Sequence, residues 1–182
     1  MNTSILHKIY IHPTAATTKP TPAALGANVT AWSGAQAFGS TENASADDIT
    51  LADDTLTITR SRSEERIQAP RGLAPDDIIT LSDRVEEIEF KCADVGEDLL
   101  TLDSNLSASG NAYQPTMTTT YRAVTIEIQG IGYFYLPRCL VTVAGVGAGY
   151  GEGGMAMSTV TIKPTKTATY KGGWVYCAYQ AV

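Results

Sequence analysis

Histidine is almost missing from this chain: there are two in 182 residues, His7 and His12, both near the amino end. Pro13 follows the second, so the two cannot share a helical face, and no cysteine or carboxylate beside them completes a metal set. A base for a histidine triad is equally short of candidates, and no serine stands in a G-x-S-x-G elbow. Cysteine is scarce and odd in number. Cys92, Cys139 and Cys177 lie far apart, each inside an apolar run of strand texture, which reads as buried free thiols in a reducing compartment rather than a disulfide framework. Cations are outnumbered, 13 Lys and Arg against 19 Asp and Glu, for a formal net charge of −6. That balance argues against general affinity for nucleic acid phosphates or anionic membrane, both of which need clustered Lys and Arg. Long apolar runs are lacking too. No stretch approaches a membrane span, and Met1 to His12 has none of the regions of a secretory leader, so synthesis in the cytoplasm is expected.

What the chain does hold is threonine, alanine and glycine in quantity, with 43% apolar and 18% charged residues. At this length one domain can bury roughly 70% of its unfolded surface without staples. Ser4 to Ile11 reads as a strand ended by His12-Pro13. Residues 14–45 are rich in Ala, Thr, Pro, Gly and Ser, with Trp32 and Phe38 as the large apolar anchors. This stretch reads either as an arm draped over an adjacent copy, Trp32 being its anchor, or as a plain terminal segment.

From Thr55 the pattern sharpens. Leu56 and Ile58 alternate with threonines, Ala69-Pro70-Arg71-Gly72 and Ala74-Pro75-Asp76-Asp77 supply turn chemistry, and the chain returns through Ile78 to Cys92. Ile88, Phe90 and Cys92 share one face of the return strand while Glu87, Glu89 and Lys91 share the other. Val85 breaks that phase, which predicts a bulge near Glu86-Glu87. A hairpin over 55–92 is expected, followed by a helix over 94–104 with Asp94 as its cap and Val95, Leu99 and Leu102 on one side. Further strands are expected over Thr118–Gln129, Gly132–Leu136, Arg138–Ala144, Met155–Lys163 and Thr167–Tyr179. The fold class is therefore mainly β: an antiparallel β-sandwich or barrel with a long β-hairpin and one short α-helix. Residues 1–49 form the strand and arm, and 50–182 the sandwich domain.

The hairpin carries both signs of charge beside a thin apolar stripe. Arg60, Arg62 and Arg66 on one strand, with Glu86 on the other, suit contact with a neighbouring subunit, where a basic strand of one copy lies against an acidic strand of the next. Cross-strand pairs within one monomer account for the same residues, each worth about 0.2–1 kcal/mol. Elsewhere the bland readings prevail. Gly149-Tyr150-Gly151-Glu152-Gly153-Gly154 spells GxGxxG, but strand-like residues follow where a dinucleotide fold needs a helix. The Asp pairs at 47, 53 and 76 lack the calcium-loop spacing. Tyr133, Tyr135, Trp174 and Tyr176 offer a sugar-stacking groove or simply core packing. No catalytic, cofactor or metal residues are assigned, and an enzyme is not expected.

The order of parts resembles the tail tube proteins of long-tailed bacteriophages. The matching positions are the strand Leu56-Thr57-Ile58-Thr59-Arg60-Ser61-Arg62, the loop Pro70 to Pro75, the strand Asp83 to Phe90, the helix Asp94 to Leu102, and Tyr121 to Tyr179 with its glycine-rich turns. The resemblance implies six-fold rings stacked into a hollow tube in the virion, assembled in the host cytoplasm. Its implied partners are copies of itself and other tail proteins, with DNA in transient passage and no cofactor or membrane. It further implies that Glu87 and Glu89 face the lumen, where carboxylates repel phosphate, and that Leu99 and Leu102 pack the helix on the outside of the sheet. A head decoration or neck protein, and a monomeric carbohydrate-binding β-sandwich, are the alternatives.

Overall fold

The computed structural model describes residues 6–15, 35–39, 48–52, 55–67, 78–92, 97–109, 112–128, 132–144, 157–170 and 172–178, with 6, 7, 63–67, 78–83, 97, 98 and 108 described by backbone alone. In chain order the elements are β1 (Leu6–Ile11), β2 (Gln36–Gly39), β3 (Ile49–Thr50), β4 (Thr57–Ile67), β5 (Ile78–Cys92), α1 (Glu97–Leu102), β6 (Leu106–Ser109), β7 (Ala112–Pro115), β8 (Arg122–Ile128), β9 (Gly132–Ala144), β10 (Ser158–Pro164) and β11 (Val175–Ala178). The protein is thus mainly β. Nine strands make one sheet in the order β3-β2-β1-β8-β9-β10-β5-β4, with β11 beside β9, and β6 pairs β7 apart from it. Every pairing is antiparallel except β2 with β3.

The sheet curls around its apolar face. Phe38 on β2 and Phe90 on β5 are far apart in the strand order, yet their rings meet edge to face at 5.1 Å. Ile9, Ile11, Ile88, Val124, Ile126, Leu136, Val141, Val160 and Ile162 fill the space between them, each the inward residue of an alternating strand. The sheet does not close into a barrel. Among the described residues its two ends share one isolated bridge, Leu51 to Cys92.

Two expectations need adjustment. Among the described residues the helix runs over Glu97–Leu102 and so stops short of 104, and Leu99 and Leu102 sit in the main core rather than on an outer face. The curled sheet leaves an open end, and burying two leucines there removes more apolar surface from water than laying them on a polar face. Gly132–Leu136 and Arg138–Ala144 prove to be one thirteen-residue strand running through Pro137. Proline is tolerated because the ladder to β8 is already broken there, between Arg122↔Cys139 and Val124↔Leu136. At the same point β9 exchanges β11 for β10 along its other edge.

Within residues 1–49, the described strands belong to the main sheet. β1 lies inside the sheet between β2 and β8, and β2 and β3 extend it. Trp32, the hairpin loop, the Gly149–Gly154 run and Asp94 fall outside the described residues. A strand, Ser158–Pro164, follows that glycine run.

Candidate assembly surface

The expected bulge is present. β4 and β5 pair in one register from Thr57↔Glu89 to Thr59↔Glu87, then shift so that Arg60 stands opposite Val85 and Glu86 is the extra residue. The shift turns Val85 inward, 3% exposed, while Ile88 beyond the bulge is 1% exposed. The ladder then runs eight more rungs, from Arg60↔Val85 to Ile67↔Ile78. β10 supports β5 only from Ile88 to Cys92. Past the bulge the hairpin is therefore a two-stranded ribbon with no third strand among the described residues, overhanging the sheet by roughly 25 Å at ~3.4 Å per residue. Such ribbons are marginal in water and present two rows of unpaired backbone groups.

Arg62 is exposed on this ribbon, in register with Asp83. Arg66 lies on the described backbone opposite Ile79, its side chain outside the description. Arg60 behaves differently. Its guanidinium lies 4.8 Å from the Trp174 ring centroid and 5.6 Å from that of Phe134, bracing the base of the ribbon against β9 and the start of β11. Beneath it Ile58, Val85, Ile88, Ile126, Phe134, Leu136 and Trp174 line a cleft of about 220 Å3, counting its open mouth. An arginine over an aromatic ring still carries five N–H donors that can meet a carboxylate. Arg60 therefore serves its own subunit without losing the capacity to meet another.

Glu87 and Glu89 do share the solvent face, opposite the core. Across it, one row reads Thr57, Glu89, Thr161, Thr142 on β4, β5, β10 and β9, flanked by Thr59 beside Glu87 and by Thr159 beside Lys91. Two cations are interleaved with the acids: Lys91, and Lys163, whose ammonium is 3.1 Å from a Glu87 carboxylate oxygen. The face is rich in hydroxyls and locally balanced in charge. The sequence singles out the glutamates; the neutralising Lys163 enters only through β10's register.

The same side of the sheet, over β1, β8 and β9, carries groups that no periodicity argument flagged. Lys8 and Asp48 pair at 2.7 Å with side chains only 9% exposed each. Glu127, 2% exposed, stands in register opposite Lys8. Burial pushes the Tyr10 phenol well above its ordinary value, and the Glu127 and Asp48 carboxylates push it further. Tyr133 and Tyr135 are buried on this side with Cys177, whereas Trp174 and Tyr176 pack against Phe134 on the other. The four aromatics expected for a sugar-stacking groove are thus divided between two faces. Cys92 and Cys139 are buried thiols outside any disulfide, and Cys177, also outside one, is half-buried.

The open end of the sheet is closed by polar connections. Arg122, 6% exposed, donates to the carbonyls of Leu102 at 2.6 Å, Thr101 at 2.5 Å and Pro13 at 2.8 Å, tying helix and amino-terminal segment to β8. A cation is favoured at those last helical carbonyls. Desolvation nonetheless lowers its pKa, partly countered by Asp103. Where β8 stops, Asp103 and Ser104 accept the Val143 and Val141 amides at 2.9 Å each and so cap the bare edge of β9.

Among the described residues no group of three or more His, Cys, Asp or Glu is placed to hold a metal ion. No helix of the described residues is long and apolar enough to cross a membrane. No protein-family model matches the chain, and no curated protein matches it.

Proposed function

We propose that this chain is the repeating subunit of a hollow tube of the type long-tailed bacteriophages use to deliver DNA. Copies join edge to edge into rings, six to a ring on the analogy with that family, and the rings stack. The reading rests above all on the eight-rung ribbon beyond Arg60↔Val85, because no third strand among the described residues covers either of its edges, and edges of that kind are completed by strands of neighbouring copies. Ring closure supplies them without leaving an edge for uncontrolled growth. Arg60, Arg62, Arg66 and Glu86 then lie at the subunit boundary, with Trp32 as an anchor on the adjacent copy.

The threonine-rich face carrying Glu87 and Glu89 is the proposed lumen wall. Lys91 and Lys163 temper its acidity, so DNA slides because hydroxyls and internally paired charges offer phosphate no cluster of free cations. The protein acts mechanically, in the virion, with other tail proteins at the tube's ends, and carries no catalytic residue or cofactor. Electron microscopy of the purified chain across a concentration series tests the reading. Annular or tubular particles are expected, and a strict monomer at every concentration, even beside an initiating tail complex, rules it out.

A further inference from the structure

We infer that residues 48–52 form a releasable seam, bolted by the Lys8–Asp48 ion pair, which opens as a unit while the rest of the sheet stays folded. Among the described residues the two ends of the curled sheet are joined through backbone hydrogen bonds only here. Leu51 N donates to the Gly39 carbonyl at 2.8 Å on the β2 side, and Ala52 N donates to the Lys91 carbonyl at 2.9 Å on the β5 side. Thr55 Oγ1 braces the far end, donating to the Ala52 carbonyl at 2.8 Å and accepting the Lys91 amide at 3.0 Å. β3 itself has two residues and two parallel rungs, Phe38↔Ile49 and Gly39↔Thr50. Elements with so few backbone bonds occupy the low end of a protein's local stability range.

The bolt is built for release. Lys8 is fixed on β1, which is paired on both edges, while Asp48 enters from the seam. Freeing a buried cation is ordinarily costly because it loses its counter-charge. Lys8 keeps a carboxylate neighbour, since Glu127 stands opposite it on β8 whether or not Asp48 is in place. Opening uncovers the edge of β5 at Lys91–Cys92 and that of β2 at Phe38–Gly39, giving an incoming strand two acceptor rows. The inference concerns the single subunit and stands whether or not rings form.

Native-state amide exchange and thiol labelling of the full chain test it together. In the wild type the Leu51 and Ala52 amides are expected to exchange in concert at least about tenfold faster than the Val160 and Ile162 amides of β10. Asp48→Asn is expected to speed both seam amides and Cys92 labelling by about tenfold more, with Cys139 and β10 unchanged. Cys139 is equally buried but away from the seam, so it reports global opening. Seam amides exchanging in step with β10 in the wild type overturn the inference, and that result needs no variant to fold. An Asp48→Asn chain in which Cys92 is unaffected, or in which Cys139 accelerates alongside it, overturns it as well.

Discussion

Arg122 does at one position what a longer strand would otherwise have to do. Its planar fork reaches three carbonyls on two segments, and no other side chain has that geometry. Replacing it with methionine keeps the volume but strands those acceptors, and unfolding in urea should show a loss of about 3 kcal/mol or more. Arg122→Lys should recover only part, because an ammonium cannot span the same three oxygens. The buried phenols make a second residue-scale prediction. Tyr10, Tyr133 and Tyr135 are all held above their ordinary value, chiefly by burial. Such groups stay neutral in the folded chain when the unfolded chain begins to ionise near pH 10, so their stabilising contribution is complete below about pH 10 and declines as pH rises past it. The urea midpoint should fall between pH 9 and pH 11, and fall less in Tyr10→Phe.

At the scale of elements, charge on the β5–β10 face is set by register. Glu87→Lys places two cations where Glu87 and Lys163 now pair, and Lys163→Glu places two anions there. Both side chains are partly exposed, at 37% and 57%, so each single change should cost the subunit less than about 1 kcal/mol. The double exchange should restore the loss in thermal melts and, if this face lines a tube, particle formation as well. These elements also show how far a sequence can be read. The bulge at Glu86 was visible because Val85 falls out of phase with Ile88 and Phe90, and alternation placed Glu87 and Glu89 together. The β6–β7 hairpin was not visible: Leu106–Ser109 and Ala112–Pro115 carry serines, alanines and a proline with no apolar stripe, so they read as a loop. The bolt between Lys8 and Asp48, 40 positions apart, and the stacking of Arg60 on Trp174 depend on which strands become neighbours. No local pattern contains that information.

The whole molecule joins two regions of unequal self-sufficiency. The curled sheet encloses a core, caps the edge of β9 with Asp103 and Ser104, and packs Leu99 and Leu102 of α1 into that core. Among the described residues, no third strand pairs with the ribbon beyond Val85 on either edge. A segment that costs conformational entropy to order, yet has no third strand beside it, is stabilised chiefly by what it meets outside. The two regions should therefore be separable. Replacing Ser61 through Arg84 by a short Asn-Gly turn, which suits a two-residue hairpin connection, should leave the sheet folded. A single cooperative melt is expected, within about 1 kcal/mol of the full chain, because two-stranded ribbons are marginal on their own and no third strand among the described residues pairs with the deleted rungs. Assembly should vanish: no annular or tubular particles by electron microscopy under conditions where the intact chain forms them. A truncated chain that still builds tubes would place the subunit contacts on the sheet itself, whereas one that fails to fold would mean that the ribbon stabilises its own monomer.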